Sequence, residues 1–182
     1  MSQSDRSGKI KPMNVIETER LILRQLTVAD AEDLYNIYSN PLTMQFMGKG
    51  SASVEETSGN IQKHIENYYN LYGFGLWAAV LRENNRLIGR CGLLYQEIDG
   101  TKDLELAYLL DSKYWGKGLA TEAAQSIVRI GFDRYKFNRI IAVINPQNTA
   151  SIRVAEKVGM NYEREIPNFK DFGPVSLYAL NS

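Results

Sequence analysis

Two glycines follow a tryptophan in the segment from Tyr114 to Thr121, which reads Tyr-Trp-Gly-Lys-Gly-Leu-Ala-Thr. When a strand leads through a glycine-rich turn into a helix, unpaired backbone N–H groups and the positive end of the helix dipole meet, which suits a phosphate or pyrophosphate. Gly116 and Gly118 would let the backbone approach such an anion closely. The segment lacks the Gly-Lys-Ser/Thr of a P-loop and the third glycine of a dinucleotide fingerprint. Taken alone, it is also typical of an ordinary turn.

Histidine and cysteine occur once each, as His64 and Cys91. A Ser-His-Asp triad or a histidine-containing zinc site would have to use His64, but its neighbours Gln62, Lys63 and Glu66 indicate the polar face of an amphipathic helix. We therefore expect His64 to be a surface residue. We expect Cys91 to be a buried strand residue rather than a nucleophile. The sequence predicts no metal site, and a lone cysteine fits a reducing compartment, most simply the cytoplasm.

Acidic and basic side chains balance, with 21 of each and no net charge, so no global field draws the chain to nucleic acid or anionic lipid. The 182 residues, 44% of them hydrophobic, suffice for one substantial core and are too few for two ordinary domains. No apolar run approaches the roughly 20 residues that span a bilayer. We expect a flexible tail over residues 1–13, a single domain over residues 14–182, and neither a membrane nor a nucleic-acid partner.

Strand-like runs alternate with helical patterns along the chain. Turn formers and apolar runs predict strands over residues 19–24, 74–81, 87–95, 104–110, 139–144 and 175–180. Capping residues and apolar spacing predict helices that begin near Thr27, Ser53, Thr121 and Asn148. The glycine segment therefore lies between a strand and a helix, in a mixed α/β chain.

Three segments together resemble the GCN5-related N-acetyltransferase (GNAT) superfamily, and within it the branch of ribosomal-protein N-terminal alanine and serine acetyltransferases. Residues 115–123 read Trp-Gly-Lys-Gly-Leu-Ala-Thr-Glu-Ala, which is similar to that branch's version of the Arg/Gln-x-x-Gly-x-Gly/Ala pyrophosphate loop. Gly118 and Ala120 match the superfamily pattern, and tryptophan stands where Arg or Gln is usual. Residues 19–24 and 145–159 match the same branch in order along the chain. The resemblance spans about residues 15–180.

The resemblance implies a six- to seven-stranded mixed sheet, flanked by about four helices and splayed open between residues 104–110 and 139–144. Acetyl-CoA would lie in the opening, and no metal would take part. Its pyrophosphate would contact the loop residues Trp115, Gly116, Lys117, Gly118, Leu119, Ala120 and Thr121. Its pantetheine amides would pair with backbone groups near Leu109 and Leu110, while Asn145, Asn148 and Ser151 would lie on the other side.

The chemistry implied by the resemblance is direct attack of a neutral amine on the thioester. Glu105 is the candidate base, either directly or through water, and the alternative is a solvent-facing strand glutamate. Ala155 stands where many members of the superfamily carry a tyrosine that protonates the leaving thiolate. Ser151 is the candidate replacement, although it could be an ordinary first-turn serine. Tyr108 is a second candidate donor.

The favoured acceptor is the α-amine of a protein or peptide, for instance a ribosomal protein. An α-amine has a pKa of about 7.7 to 8.0 and a lysine about 10.4, so an α-amine demands less of a lone glutamate. A polyamine, amino acid or aminoglycoside is the alternative acceptor within enzymes. A non-catalytic acetyl-CoA sensor is the alternative from another class. A homodimer is implied by the resemblance alone.

Overall fold

A mixed sheet of eight strands forms the centre of the computed structural model, which describes residues 15–48 and 50–182. The strands are β1 (Val15–Glu17), β2 (Leu21–Gln25), β3 (Leu76–Leu81), β4 (Leu87–Ile98), β5 (Thr101–Leu110), β6 (Arg139–Ile144), β7 (Asn161–Ile166) and β8 (Val175–Asn181). Their order is β1-β2-β3-β4-β5-β6-β8-β7, and every pairing is antiparallel except that of β5 with β6. The tail predicted over residues 1–13 lies outside the described residues.

The expected strand number of six to seven was too low, because both edge strands were missed. β1 has three residues, too few for a periodic pattern. β7 reads Asn-Tyr-Glu-Arg-Glu-Ile and exposes its first five residues, so it lacks the apolar alternation of a half-buried strand. Charged, solvent-facing side chains are typical of edge strands.

The helices are α1 (Ala31–Tyr38), the short α2 (Pro41–Met44), α3 (Val54–His64), α4 (Asn70–Tyr72), α5 (Leu119–Asp133) and α6 (Thr149–Lys157), and a π-helical turn, Ile65–Tyr69, joins α3 to α4. One hydrophobic cluster packs α5 and α6 on one face of the sheet, and a second packs α1 and α3 on the other. Ser53 accepts a hydrogen bond from the Glu56 N–H at the start of α3, as predicted for a capping serine. No helix in the described ranges is both long and apolar enough to cross a membrane.

The sheet opens between β5 and β6, as expected. These two strands share only the Glu105–Ile141 pairing, whereas β4 and β5 pair continuously from Gly89–Leu110 to Ile98–Thr101. The last residues of β5 therefore pair with β4 only and leave their other edge toward the opening. Free backbone groups at such an edge can pair with an extended ligand.

Candidate functional site

The glycine loop has the backbone that the sequence predicts for an anion site. Gly116 and Gly118 have φ values of 75° and 78°, in the left-handed region. A side-chain carbon at Gly116 would meet no atom within 4 Å, and one at Gly118 only the Arg20 guanidinium at 3.5 Å. The glycines are therefore required by backbone conformation rather than by crowding from neighbouring residues. Gly118 caps α5, whose first N–H groups have no partner within the helix.

The turn between β1 and β2 holds the glycine loop in place. The Glu122 carboxylate accepts from the Arg20 Nε and backbone N, both at 2.7 Å, and from Thr18 Oγ1 at 2.6 Å. Arg20 Nη1 also donates to the Lys117 carbonyl at 2.8 Å. Burial raises the pKa of Glu122, but the hydrogen bonds from Thr18 and Arg20 outweigh it and keep that pKa below its usual value. The segment matched at residues 19–24 therefore supports the loop.

A cavity of about 540 Å³ lies between this loop, the end of β5 and the start of α6; we call it the loop cavity. The predicted residues that line it are Tyr108, Leu109, Leu110, Trp115, Gly116, Gly118, Leu119, Ala120, Thr121, Asn148 and Ser151. Two of the residues predicted to contact the coenzyme do not line it. The Lys117 ammonium lies 5.1 Å from the centre of the Tyr114 ring, and the Asn145 side chain accepts from the Gln147 N–H at 2.9 Å and borders a neighbouring chamber.

The open edge of β5 presents the backbone groups of Tyr108 and Leu110. Asp111 N donates to the Ile88 carbonyl of β4, and along an antiparallel strand the direction alternates, so Leu109 also faces β4. Trp115 Nε1 donates to the Leu110 carbonyl at 2.8 Å on the open side. Strand-like pairing with a ligand at this edge would therefore use Tyr108 and Leu110, while Leu109 contributes its side chain to the cavity wall.

Several wall residues of the loop cavity were not predicted. Phe46 and Met47, which follow α2, form one side, and Arg153 and Lys157 bring positive charge from α6. Asn40 accepts from the Leu42 N–H and so caps α2, the helix that precedes Phe46 and Met47. Arg153 and Lys157 are four residues apart and so lie on one face of a helix, a spacing from which the sequence could have predicted a positively charged wall.

Glu105 lies in a smaller chamber of about 220 Å³, which we call the Glu105 chamber. Its carboxylate accepts from Gln96 Nε2 at 3.0 Å, and Gln96 Oε1 in turn accepts from Lys170 Nζ at 2.8 Å. Burial raises the pKa of Glu105 to about 7, and the Gln96 hydrogen bond and the Lys170 charge oppose that rise only in part. A carboxylate with this pKa can accept or release a proton near neutral pH.

Tyr108 borders both the loop cavity and the Glu105 chamber. Its hydroxyl donates to the Ser151 carbonyl at 3.0 Å, and Ser151 N–H donates to Asn148 Oδ1 at 3.1 Å. Burial raises the pKa of Tyr108 to about 12, despite the hydrogen bond to Ser151, so the phenol stays protonated. The three candidate catalytic side chains, Glu105, Tyr108 and Ser151, therefore line two adjoining cavities.

His64 is not the surface residue that the sequence suggested. It lines a third cavity, and its Nε2 accepts from the Leu76 N–H at 2.8 Å. Burial, with the nearby charge of Arg90, lowers its pKa to about 4. Gly75 makes this packing possible, since a Cβ there would lie 2.5 Å from His64 Nε2. The prediction was wrong because helix periodicity does not reveal the glycine that admits the ring.

Cys91 is buried on β4, and burial raises its thiol pKa to about 12, so it is structural as expected. Among the described residues, no three His, Cys, Asp or Glu side chains are placed to hold a metal ion.

Comparison with known proteins gives a consistent match. The model of the acetyltransferase (GNAT) domain family matches residues 20–161. The uncharacterised Bacillus subtilis protein YkkB is 31% identical over 165 residues, 91% of this chain and 94% of that protein. The crystal structure of a GNAT-family acetyltransferase from Bacillus anthracis is 30% identical with a TM-score of 0.75, and the match covers 92% of this chain and 98% of that one.

A more distant structure shares the fold. The ribosomal-protein-S5-alanine acetyltransferase of Vibrio fischeri is 21% identical, with a TM-score of 0.74 over 92% of this chain and 96% of that one. Other solved structures with this fold hold acetyl-CoA or coenzyme A.

Proposed function

The chain belongs to the GNAT family of acetyltransferases, and we propose that the amine it acetylates is the α-amino group of a protein or peptide. It is an N-acetyltransferase, with acetyl-CoA as the acetyl donor. The observation that carries the choice of acceptor is Glu105, whose pKa of about 7 is close to that of an α-amine.

The residues of the loop cavity fit the donor. Left-handed glycines and the free N–H groups of the first turn of α5 suit a pyrophosphate, and Arg153 and Lys157 supply positive charge for further phosphate. The backbone groups of Tyr108 and Leu110 at the open edge of β5 suit the pantetheine amides. The donor supplies a thioester, whose carbonyl carbon is the site of attack.

Glu105 takes the proton that the amine loses as its nitrogen bonds to the thioester carbon. When the carbon–sulfur bond breaks, the departing sulfur needs a proton or a hydrogen bond. Ser151 provides it from its hydroxyl, which has no hydrogen bond to a described residue, and Tyr108 is the alternative donor. No covalent bond between enzyme and acetyl group is needed, so positioning and proton transfer are the protein's contribution.

Proton energetics separate the α-amine from lysine. Moving a proton to a carboxylate of pKa about 7 costs about 1 kcal/mol from an α-ammonium and about 5 kcal/mol from a lysine ammonium. Glu105 therefore suits the α-amine better. The Trp-Gly-Lys-Gly-Leu-Ala-Thr-Glu-Ala segment, typical of the N-terminal acetyltransferase branch, supports the same choice. The lone buried thiol of Cys91 fits a reducing compartment such as the cytoplasm.

The test is a thiol-release assay on a peptide with a free N-terminus and one internal lysine, with its N-terminally blocked form as the control. We expect tandem mass spectra to place the acetyl group on the α-amine. The preference for the α-amine over the lysine side chain should become smaller as the pH approaches 10. Acetyl groups mainly on lysine, or thiol release only with polyamines or aminoglycosides, would contradict the proposal. Coenzyme binding without thiol release from any amine would indicate a sensor.

A further inference from the structure

A third cavity of about 260 Å³ adjoins the Glu105 chamber on the face of the sheet that carries α1 and α3. We call it the Arg90 cavity. Arg90 and Met47 line both spaces, and Met47 also borders the loop cavity. The three cavities therefore meet around one methionine. Because the loop cavity suits the donor and Glu105 the reacting amine, the Arg90 cavity is placed to receive the rest of the acceptor.

Arg90 and Glu105 lie on the same face of the sheet. Arg90 pairs with Leu109, Glu105 pairs with Leu94, and the small pair Gly92 and Ala107 lies between them. Arg90 and Leu94 are four residues apart, about 13 Å along the strand at roughly 3.3 Å per residue. Because the Arg90 and Glu105 side chains both extend into the space between these positions, the distance left between their charged groups is about the length of one or two residues of an extended peptide.

Arg90 has no acidic partner in the described part of the chain. It forms no ion pair or side-chain hydrogen bond with a described residue, and its guanidinium carbon lies 5.2 Å from the centre of the Tyr38 ring. Glu56 also borders the cavity, but one of its oxygens accepts from the Ala52 N–H at 2.6 Å. A partly buried guanidinium without a carboxylate keeps five N–H donors free for a ligand.

His64 adds a second donor to the same wall. Because its Nε2 accepts from the Leu76 N–H, the proton of the neutral ring resides on Nδ1. Asn60, also in the wall, donates to Ser51 Oγ at 3.4 Å, which leaves one of its amide N–H groups. The cavity is therefore rich in donors around a single fixed cation.

We infer that the Arg90 cavity binds a carboxylate of the acceptor, the acidic side chain of the first or second residue of a peptide whose α-amine lies beside Glu105. This inference rests on the proposed function. A planar guanidinium binds a carboxylate through two parallel hydrogen bonds, so it fixes both the position and the orientation of the acceptor. The free carboxylate of a single amino acid has the same chemistry and is the alternative source.

The experiment compares kcat/KM for C-terminally amidated peptides that carry Asp or Glu at the first or second position with matched peptides that carry Asn or Gln. We expect kcat/KM of the parent protein to be at least about tenfold higher for the acidic peptide than for its amide counterpart, at either the first or the second position. Arg90→Gln should abolish that preference, so that the acidic peptides and the matched amide peptides have the same kcat/KM. Arg90→Lys should retain part of it. Arg86→Gln, which removes an exposed guanidinium just before β4, is the matched control.

Equal use of acidic and amide peptides by the parent would overturn the inference while leaving α-amine acetylation in place. An acidic preference that survives in Arg90→Gln would also overturn it. If neither a peptide nor a free amino acid is acetylated on its α-amine, both the proposed function and the inference fall. Acetylation confined to free Asp and Glu, and lost in Arg90→Gln, would overturn the peptide acceptor but support a carboxylate on Arg90. Should Arg90→Gln fail to fold, the parent's preference and Arg90→Lys still decide.

Discussion

The phenol of Tyr108 donates a hydrogen bond to the backbone carbonyl of Ser151, with 3.0 Å between the two oxygens. This bond joins β5 to α6 across the opening of the sheet, beside the loop cavity. The Tyr108 proton is thus already committed to a backbone acceptor, whereas the Ser151 hydroxyl has no partner among the described residues. The two side chains should therefore contribute differently to catalysis.

We expect Ser151→Ala to lower kcat by about three- to tenfold with little change in coenzyme affinity, because it removes a donor and leaves the Tyr108 bond intact. Tyr108→Phe should weaken coenzyme binding as well, since the tie across the cleft is lost. Stopped-flow or steady-state kinetics with calorimetric coenzyme titration separate the two effects. A Ser151→Ala enzyme equal to the parent would leave Tyr108 or water as the donor.

Gly118→Asp should weaken coenzyme binding by at least about tenfold. The substitution puts a negative charge and a side chain where the loop meets the phosphates, and it also strains a residue with φ of 78°. Calorimetric titration with coenzyme A measures the effect. Gly100→Asp is the matched control, because Gly100 has a similar φ of 76° and a side chain there meets no atom within 4 Å. Unchanged affinity in a folded Gly118→Asp variant would remove the loop from the binding site.

Glu105→Gln should lower kcat by about 10² to 10⁴, the usual contribution of a general base, because it preserves shape and removes the proton acceptor. In the parent, kcat should rise with pH through about 7, where Glu105 loses its proton, and this inflection should vanish in the variant. A loss below about threefold at pH 7, or an unchanged pH profile, would rule out Glu105 as the base.

Glu105→Gln should also change the stability of the folded protein, by an amount that depends on the pH. The folded-state pKa of Glu105 lies above its unfolded value of about 4.3. The protonated carboxyl is therefore favoured by folding, and its contribution is present at low pH and lost as the pH rises through 7. Thermal denaturation should show Glu105→Gln gaining stability relative to the parent at pH 8 but not at pH 4.

Local patterns predicted the parts of the site that depend on nearby residues. The glycine loop, the Asn148 cap of α6 and the strand that carries Glu105 each follow from a few consecutive residues. The hydrogen bonds from Lys170 to Gln96 and from Gln96 to Glu105, the space that Gly75 leaves for His64 and the Arg90 cavity all join residues from distant parts of the chain. Such contacts depend on sheet register and strand order, which local periodicity does not specify.

Lys170 places a positive charge near the candidate base, and Gln96 bridges it to Glu105. Its positive charge lowers the pKa of Glu105 against the larger effect of burial. Lys170→Met removes this charge and should move the rising limb of the kcat profile to higher pH, so that the loss of activity is greater at pH 6.5 than at pH 8.5. Lys170→Arg should keep the limb near its parent position.

Lys136→Met is the matched control for this prediction. Lys136 is exposed and has a positive φ of 58°, similar to the 50° of Lys170, so the two substitutions perturb comparable backbones. It does not line the Glu105 chamber. If the rising limb of the kcat profile moved equally in Lys170→Met and Lys136→Met, the cause would be a general electrostatic effect. If Lys170→Met lowered kcat uniformly at every pH, Lys170 would act through the shape of the chamber, because a change in the pKa of Glu105 must alter the pH dependence.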